Sequence, residues 1–292
     1  MHDGDLTQLQ AADLPAFQES LPNAWAAPVI FLSPHSGRHY PASMQAKLAV
    51  PLIDLRRTED AFIDEMFAEC VAYGTGQISA LYGRSFVDLN RDVRELDATM
   101  FADGAPRTCG MPTARVRAGL GVLPRVAASG RDIYGGKPLL KEEAAWRLTH
   151  VHEAYHRAVV DRLEALKRDW SDVILIDCHS MPSRQPGRSH LPDFVLGDRF
   201  GSSCSGRLTS QVERCLRGLG YSVARNAPYA GGYTTRRYGR PRRGTHALQI
   251  EVNRSLYMDE QSVECTRDFM QLKEHMSKVI AVVLNFAQRE NG

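Results

Sequence analysis

Val173-Ile174-Leu175-Ile176-Asp177-Cys178-His179-Ser180 is the stretch from which the fold can be read. Four aliphatic side chains run together with no polar alternation, the pattern of a strand buried on both faces, as in helix-covered parallel sheets. An aspartate, a thiol, an imidazole and a hydroxyl follow at once. Open α/β sheets place their sites at the carboxyl ends of strands, so this stretch marks both core and site. On its N-terminal side, residues 141–170 carry Trp146, Leu148, Val151, Tyr155, Val159, Leu163 and Leu166 at helical spacing and read as one long helix. On its C-terminal side, the pattern predicts strands at 194–196, 221–224 and 247–252 and helices at 204–219 and 259–288.

Further upstream, Val29-Ile30-Phe31-Leu32 repeats the buried-strand pattern and opens at Pro34-His35. Thr58 reads as a helix N-cap, with Glu59 and Asp60 in the first turn, apolar residues from Phe62 to Val71 at helical spacing, and Gly74 as the stop. Short strands are expected at 78–82 and 85–89. Residues 92–138 keep no period, which in a compact domain points to a functional loop or to short hidden elements. Strands alternating with helices predict an α/β fold with a mixed, mostly parallel central sheet flanked by helices. No linker or repeat interrupts the chain. Residues 1–292 therefore read as one domain, with 1–25 as a peripheral N-terminal segment.

A formal net charge of +2, with basic residues that do not interleave with aromatics, argues against nucleic acid as a partner. No apolar run is long enough to span a membrane. Residues 1–18 are polar and acidic, unlike a secretory signal. The six cysteines form no CxxC pair and read as reduced thiols of a cytoplasmic protein, so any metal must take nitrogen and oxygen ligands. Arg236, Arg237, Arg240, Arg242 and Arg243 crowd one stretch, either to attract a small anion or as a solvated loop.

Three motifs fall at strand ends: Ser33-Pro34-His35-Ser36-Gly37, Asp177-Cys178-His179-Ser180 and Gln249-Ile250-Glu251-Val252-Asn253. His35 and His179 either converge on one point or serve separately as hydrogen-bonded histidines. Catalytic zinc commonly takes two histidines and a carboxylate, leaving a position for water. Glu59 or Asp60 offers the carboxylate, unless both only complement a helix dipole. Glu251, between two apolar residues, is a candidate general base. The two-residue period also allows Gln249, Glu251 and Asn253 to form a row facing solvent. Asn90-Arg91 suits a carboxylate clamp, or Arg91 an ion pair with Asp88 or Asp92.

Together these residues resemble the N-formylglutamate amidohydrolase family of zinc carboxypeptidase-like hydrolases. The resemblance spans nearly the whole chain. It rests on Pro34-His35-Ser36-Gly37, Thr58-Glu59-Asp60-Ala61-Phe62-Ile63-Asp64-Glu65, Val87-Asp88-Leu89-Asn90-Arg91, Asp177-Cys178-His179-Ser180-Met181-Pro182-Ser183, Pro192-Asp193-Phe194-Val195-Leu196-Gly197-Asp198, Asn226-Ala227-Pro228-Tyr229-Ala230-Gly231-Gly232-Tyr233, Gly244-Thr245-His246-Ala247-Leu248-Gln249-Ile250-Glu251-Val252-Asn253 and Leu256-Tyr257-Met258-Asp259-Glu260. It implies a zinc carboxypeptidase-like (phosphorylase/hydrolase-like) sandwich. One zinc ion would be held by His35, His179 and an acid at Glu59-Asp60, with Asp60 favoured. Glu251 would be the catalytic glutamate and Asn90-Arg91 the substrate-carboxylate pair, with Arg84, Gly232, Tyr233 and His246 as further substrate-binding candidates. The implied reaction hydrolyses the N-acyl bond of a small acidic amino acid, N-formyl-L-glutamate giving formate and glutamate in histidine breakdown. The alternatives are another N-acyl amino acid or dipeptide as substrate, or a ligand-binding protein on a degenerate hydrolase scaffold. Two stretches depart from the family pattern: Ala230 stands where a lysine is expected, and the arginine-rich segment 107–131 matches nothing in it.

Overall fold

Strand β4 (Val173–Met181) has all nine residues buried. In the computed structural model, which describes residues 14–102, 104–185, 187 and 191–292, it lies in the middle of a seven-stranded sheet of order β1-β3-β2-β4-β7-β5-β6. The other strands are β1 (Phe17–Ser20), β2 (Val29–Ser33), β3 (Gly76–Ala80), β5 (Phe194–Gly197), β6 (Val223–Arg225) and β7 (Thr245–Asn253). β2 pairs in parallel with β3 and β4, β4 with β7, and β5 with β6, while β5 runs antiparallel to β7. The sheet is mixed and mostly parallel, as the apolar runs predict. A separate two-stranded ribbon joins β8 (Met258–Asp259) to β9 (Glu264–Cys265).

The helices are α1 (Ala42–Gln45), α2 (Leu52–Arg56), α3 (Ile63–Phe67), α4 (Ala114–Arg117), α5 (Lys141–Arg147), α6 (Ala154–Leu166), α7 (Gly206–Gly218), α8 (Tyr233–Tyr238) and α9 (Phe269–Asn291). The chain divides into two compact units. One contains the described residues up to 18 together with 35–59 and 80–158; the other contains 19–34, 60–79 and 159–292. In the second unit α3 packs on β2 and β4, α9 on α3 and α7, and α8 on β7. Among the described residues no helix is long and apolar enough to cross a membrane.

Several expectations shift. The helix after Thr58 starts only at Ile63, because Phe62 takes a left-handed conformation with φ 65°. Thr58 does not cap it; its hydroxyl donates to the Leu55 carbonyl and meets Ser85 Oγ. Gly74 does end this segment, with φ +79°, and a Cβ there would come within 2.6 Å of Ala26 Cβ. Residues 85–89 form no strand. The helix expected at 141–170 is α5 and α6 joined by a π turn, Leu148–Glu153. Residues 259–268 belong to the β8–β9 ribbon and its turns, so the C-terminal helix begins at Phe269. The aperiodic stretch 92–138 does hide short elements, among them α4 and a 3-10 turn at Ala98–Met100. Part of the peripheral segment expected at 1–25, residues 1–13, lies outside the described residues.

Candidate metal centre

The Asp177-Cys178-His179-Ser180 motif lies inside β4 rather than beyond it, because the ladder to β7 continues through Met181 and Asn253. In this register Asp177 pairs with Gln249 and His179 with Glu251. Side chains two apart share a face, so these four polar groups form a buried patch on one side of the two central strands. Gln249 and Glu251 are only 3% and 6% exposed, which excludes the solvent-facing row that alternation alone allowed.

Within the second unit, His179 Nδ1 lies 2.9 Å from Asp60 Oδ2, and His179 Nε2 lies 3.1 Å from Asp177 Oδ1. Neither buried oxygen of Asp177 has a well-aligned hydrogen bond, so that second contact is one of charge and proximity. Burial alone would lower the His179 pKa, but the carboxylates of Asp177, Asp60 and Glu251 outweigh it and hold the imidazole well above its ordinary value. Asp60 is fully buried, and its Oδ1 accepts from Arg254 Nη2 at 3.0 Å and from the Ser180 hydroxyl at 3.3 Å. Arg254 Nε also donates to Ser180 Oγ at 3.0 Å. Glu251 is oriented by a short relay. The Gly232 N–H donates to Gln249 Oε1 at 2.7 Å, which fixes the amide so that Gln249 Nε2 donates to Glu251 Oε1, also at 2.7 Å.

Within the first unit, His35 Nε2 meets Asp88 Oδ1 at 2.7 Å. That oxygen also accepts the Asn90 N–H at 2.9 Å, and Arg84 donates to Asp88 Oδ2 at 2.9 Å. Burial would raise the Asp88 pKa, yet His35, Arg84 and Arg91 together hold it well below the usual carboxylate range. Asp88 is thus an ionised anchor behind the His35 ring. Gly37 lets the following loop lie against the chain at Tyr82, where a Cβ would come within 2.1 Å of the Tyr82 carbonyl oxygen. Glu59 is buried too, but it accepts the Tyr40 hydroxyl at 2.9 Å and lies 3.7 Å from Arg56.

His35, carried two residues beyond the end of β2, offers a ligand atom within 4.8 Å of those of Asp60 and His179, and all three residues are buried. Donors about 2.0–2.1 Å from a tetrahedral ion stand about 3.3 Å apart, so the cluster has the right scale. Two imidazoles and one carboxylate are a donor set that zinc takes in catalytic sites. Each imidazole has a carboxylate at its other nitrogen, Asp88 behind His35 and Asp177 behind His179, as metal-binding histidines usually do. The residues present fit a divalent ion, with Asp60 and not Glu59 in the cluster.

The remaining sequence candidates are spread more widely. Arg84 and Asn90 both hold Asp88. Arg91 donates to the carbonyls of Asn90 and Leu120. Gly232 acts through its backbone on Gln249, and the Tyr233 hydroxyl accepts from Arg237. His246 is not brought to the cluster. It pairs with Ile174 near the start of β7, five residues from Glu251 and so about 17 Å away along the strand. Its Nδ1 accepts the Ser205 N–H and its Nε2 meets Asp172, so both nitrogens are engaged there. All five arginines of the 236–243 stretch are exposed. The motifs omitted Arg254, whose partner Asp60 lies 194 positions away; its one sequence signal is that it directly follows the Gln249–Asn253 motif.

A sequence model of the family described as N-formylglutamate amidohydrolase matches residues 27–258. An N-formylglutamate deformylase of Pseudomonas aeruginosa is 32% identical over 242 residues, covering 80% of this chain and 84% of that protein. One from Pseudomonas putida is 29% identical over 243 residues, covering 80% and 82%. The crystal structure of N-formylglutamate amidohydrolase from Ralstonia eutropha JMP134 superposes with a TM-score of 0.89 at 31% identity, covering 95% of this chain and all of that one. By sequence and by fold, the chain belongs to the N-formylglutamate amidohydrolase family.

Proposed function

We propose that this protein is a metal-dependent deformylase that hydrolyses N-formyl-L-glutamate to formate and glutamate, working as one domain in the cytoplasm. The observation that carries the reading is the buried His35–Asp60–His179 cluster, together with Glu251 as the β7 neighbour of His179. His35, Asp60 and His179 would hold one zinc ion, whose chemistry is to acidify water and polarise the formyl carbonyl.

Glu251 takes the proton of the attacking water and passes it to the leaving nitrogen, so that the amine departs neutral. The Gly232–Gln249 relay holds one of its oxygens and thereby sets the direction of the carboxylate. Arg91 and Asn90, with Arg84 nearby on Asp88, supply the positive and amide groups that bind the substrate carboxylates. Tyr233 and the Gly232 loop remain substrate-contact candidates, whereas His246 is left out because its ring is engaged elsewhere.

The test is zinc analysis of the purified protein coupled to a panel of N-formyl, N-acetyl and N-succinyl amino acids, read as amine release. N-formylglutamate is expected to show the highest kcat/KM. A clear preference for another acyl group or an uncharged amino acid would overturn the substrate assignment. Asp88→Asn supplies a second check. It removes the charge behind His35, and such a change typically lowers metal affinity by about 10–100-fold, measurable by competition with a chromogenic chelator. An unchanged affinity would detach Asp88 from the metal centre.

A further inference from the structure

Residues 86–91 carry Asp88, Asn90 and Arg91, yet they belong to no strand or helix. Buried backbone carbonyls without a ladder must find donors elsewhere. Three side chains from the α5–α6 helical segment supply them. Arg147 Nη1 donates to the Phe86 carbonyl at 3.0 Å, His156 Nε2 to the Leu89 carbonyl at 2.9 Å, and His152 Nε2 to the Arg91 carbonyl at 2.9 Å. A carbonyl only accepts, so each histidine carries its proton on Nε2. The three side chains are 0–3% exposed, so their polar atoms depend on protein partners. Arg147 is further fixed by Tyr134 at 2.9 Å, by Glu143 and by the Phe86 ring 4.1 Å beneath it.

The alignment of the three donors depends on the π turn. In a regular α-helix residues 147 and 152, five apart, would point roughly 140° away from one another. Hydrogen bonding from i to i+5 in the turn at Leu148–Glu153 fits more residues into the turn and brings residues 147 and 152 much closer to one face. His156, four residues after His152, then continues the same stripe, and the two imidazole centroids lie 4.4 Å apart. A segment whose apolar spacing reads as an uninterrupted helix therefore contains one inserted residue at the place where it grips the 86–91 segment.

We propose that this π turn is a positioning device: it lines up Arg147, His152 and His156 to hold residues 86–91 in the shape in which Asn90 and Arg91 bind substrate. The substrate half of this statement rests on the function proposed above. The experiment compares His152→Met, which keeps volume but removes the donor, with His152→Gln, whose amide N–H can reach the Arg91 carbonyl; His156→Met and His156→Gln repeat the comparison at Leu89.

The first readout, hydrogen exchange at the Asn90 amide, needs no activity. This amide donates to Asp88 Oδ1. Exchange is expected to quicken about tenfold in the Met variants, as the loss of one hydrogen bond of ordinary strength implies, and to stay near wild type in the Gln variants. In the second readout, KM for N-formylglutamate rises about tenfold in the Met variants with kcat within about threefold, and glutamine restores it. Unchanged exchange at Asn90 in the Met variants, or glutamine no better than methionine, overturns the proposal. A wild-type protein inactive on N-formylglutamate overturns the substrate reading instead, and the exchange result then decides the positioning role alone.

Discussion

Replacing Glu251 with glutamine is expected to lower kcat on N-formylglutamate by about 10²–10⁴-fold, the range for loss of a positioned acid–base group, while bound metal and Tm stay near wild type. The substitution preserves shape and removes only the capacity to take and return a proton. Gln249 Nε2 can still donate to the oxygen of the new amide, since Gly232 continues to fix the Gln249 orientation. The proposed metal ligands are His35, Asp60 and His179, so the substitution would remove none of them. KM should change little, because the carboxylates of the substrate are assigned to Asn90 and Arg91. Steady-state kinetics and metal analysis on one preparation separate the effects. Turnover close to wild type would remove Glu251 from the chemistry, whereas loss of metal would instead place it among the ligands.

The strands that build this site were legible because burial on both faces leaves an unambiguous mark. Val29–Leu32 and Val173–Ile176 lie within observed strands, and so does Ala247–Val252, whose alternation marks a strand but left its polar face open to solvent. The polar residues that follow such runs were harder to place. Asp177 to Ser180 looks like a loop to any reading of hydropathy, yet the backbone goes on pairing with β7, and the side chains are buried because they answer one another. Thr58-Glu59-Asp60 imitates a helix start for a similar reason: acids suit a first turn, and nothing local says that both are buried for other partners. The decisive facts there are tertiary, the Tyr40 hydroxyl on Glu59 and the Arg254 guanidinium on Asp60. Residues 85–89 carry strand-like alternation, but helix side chains take the place of a neighbouring strand. The family resemblance already favoured Asp60 over Glu59, whereas Arg254, Asp88 and Gln249 needed coordinates, because their interest lies wholly in what they touch.

In the proposed function Asp60 joins metal binding to stability, and the two can be pulled apart. Asp60→Ala removes one of three donors and is expected to reduce bound metal to background and activity below detection. It also deprives the buried Arg254 side chain, 6% exposed, of its carboxylate. Breaking a buried pair from one side typically costs about 3–5 kcal/mol, because the remaining charge stays out of water. Urea denaturation of the metal-free proteins should show a loss of that size. Arg254→Met in the same chain takes away the buried cation and fills much of its volume, so the double variant should regain most of the stability while remaining without metal. Such non-additivity is what a direct charge pair predicts, and independent sites would instead give summed losses. Should Asp60→Ala keep a stoichiometric ion, the cluster would have to draw its carboxylate from elsewhere. Should the double variant be less stable than Asp60→Ala alone, Arg254 would owe its place to packing and to Ser180 rather than to the charge of Asp60.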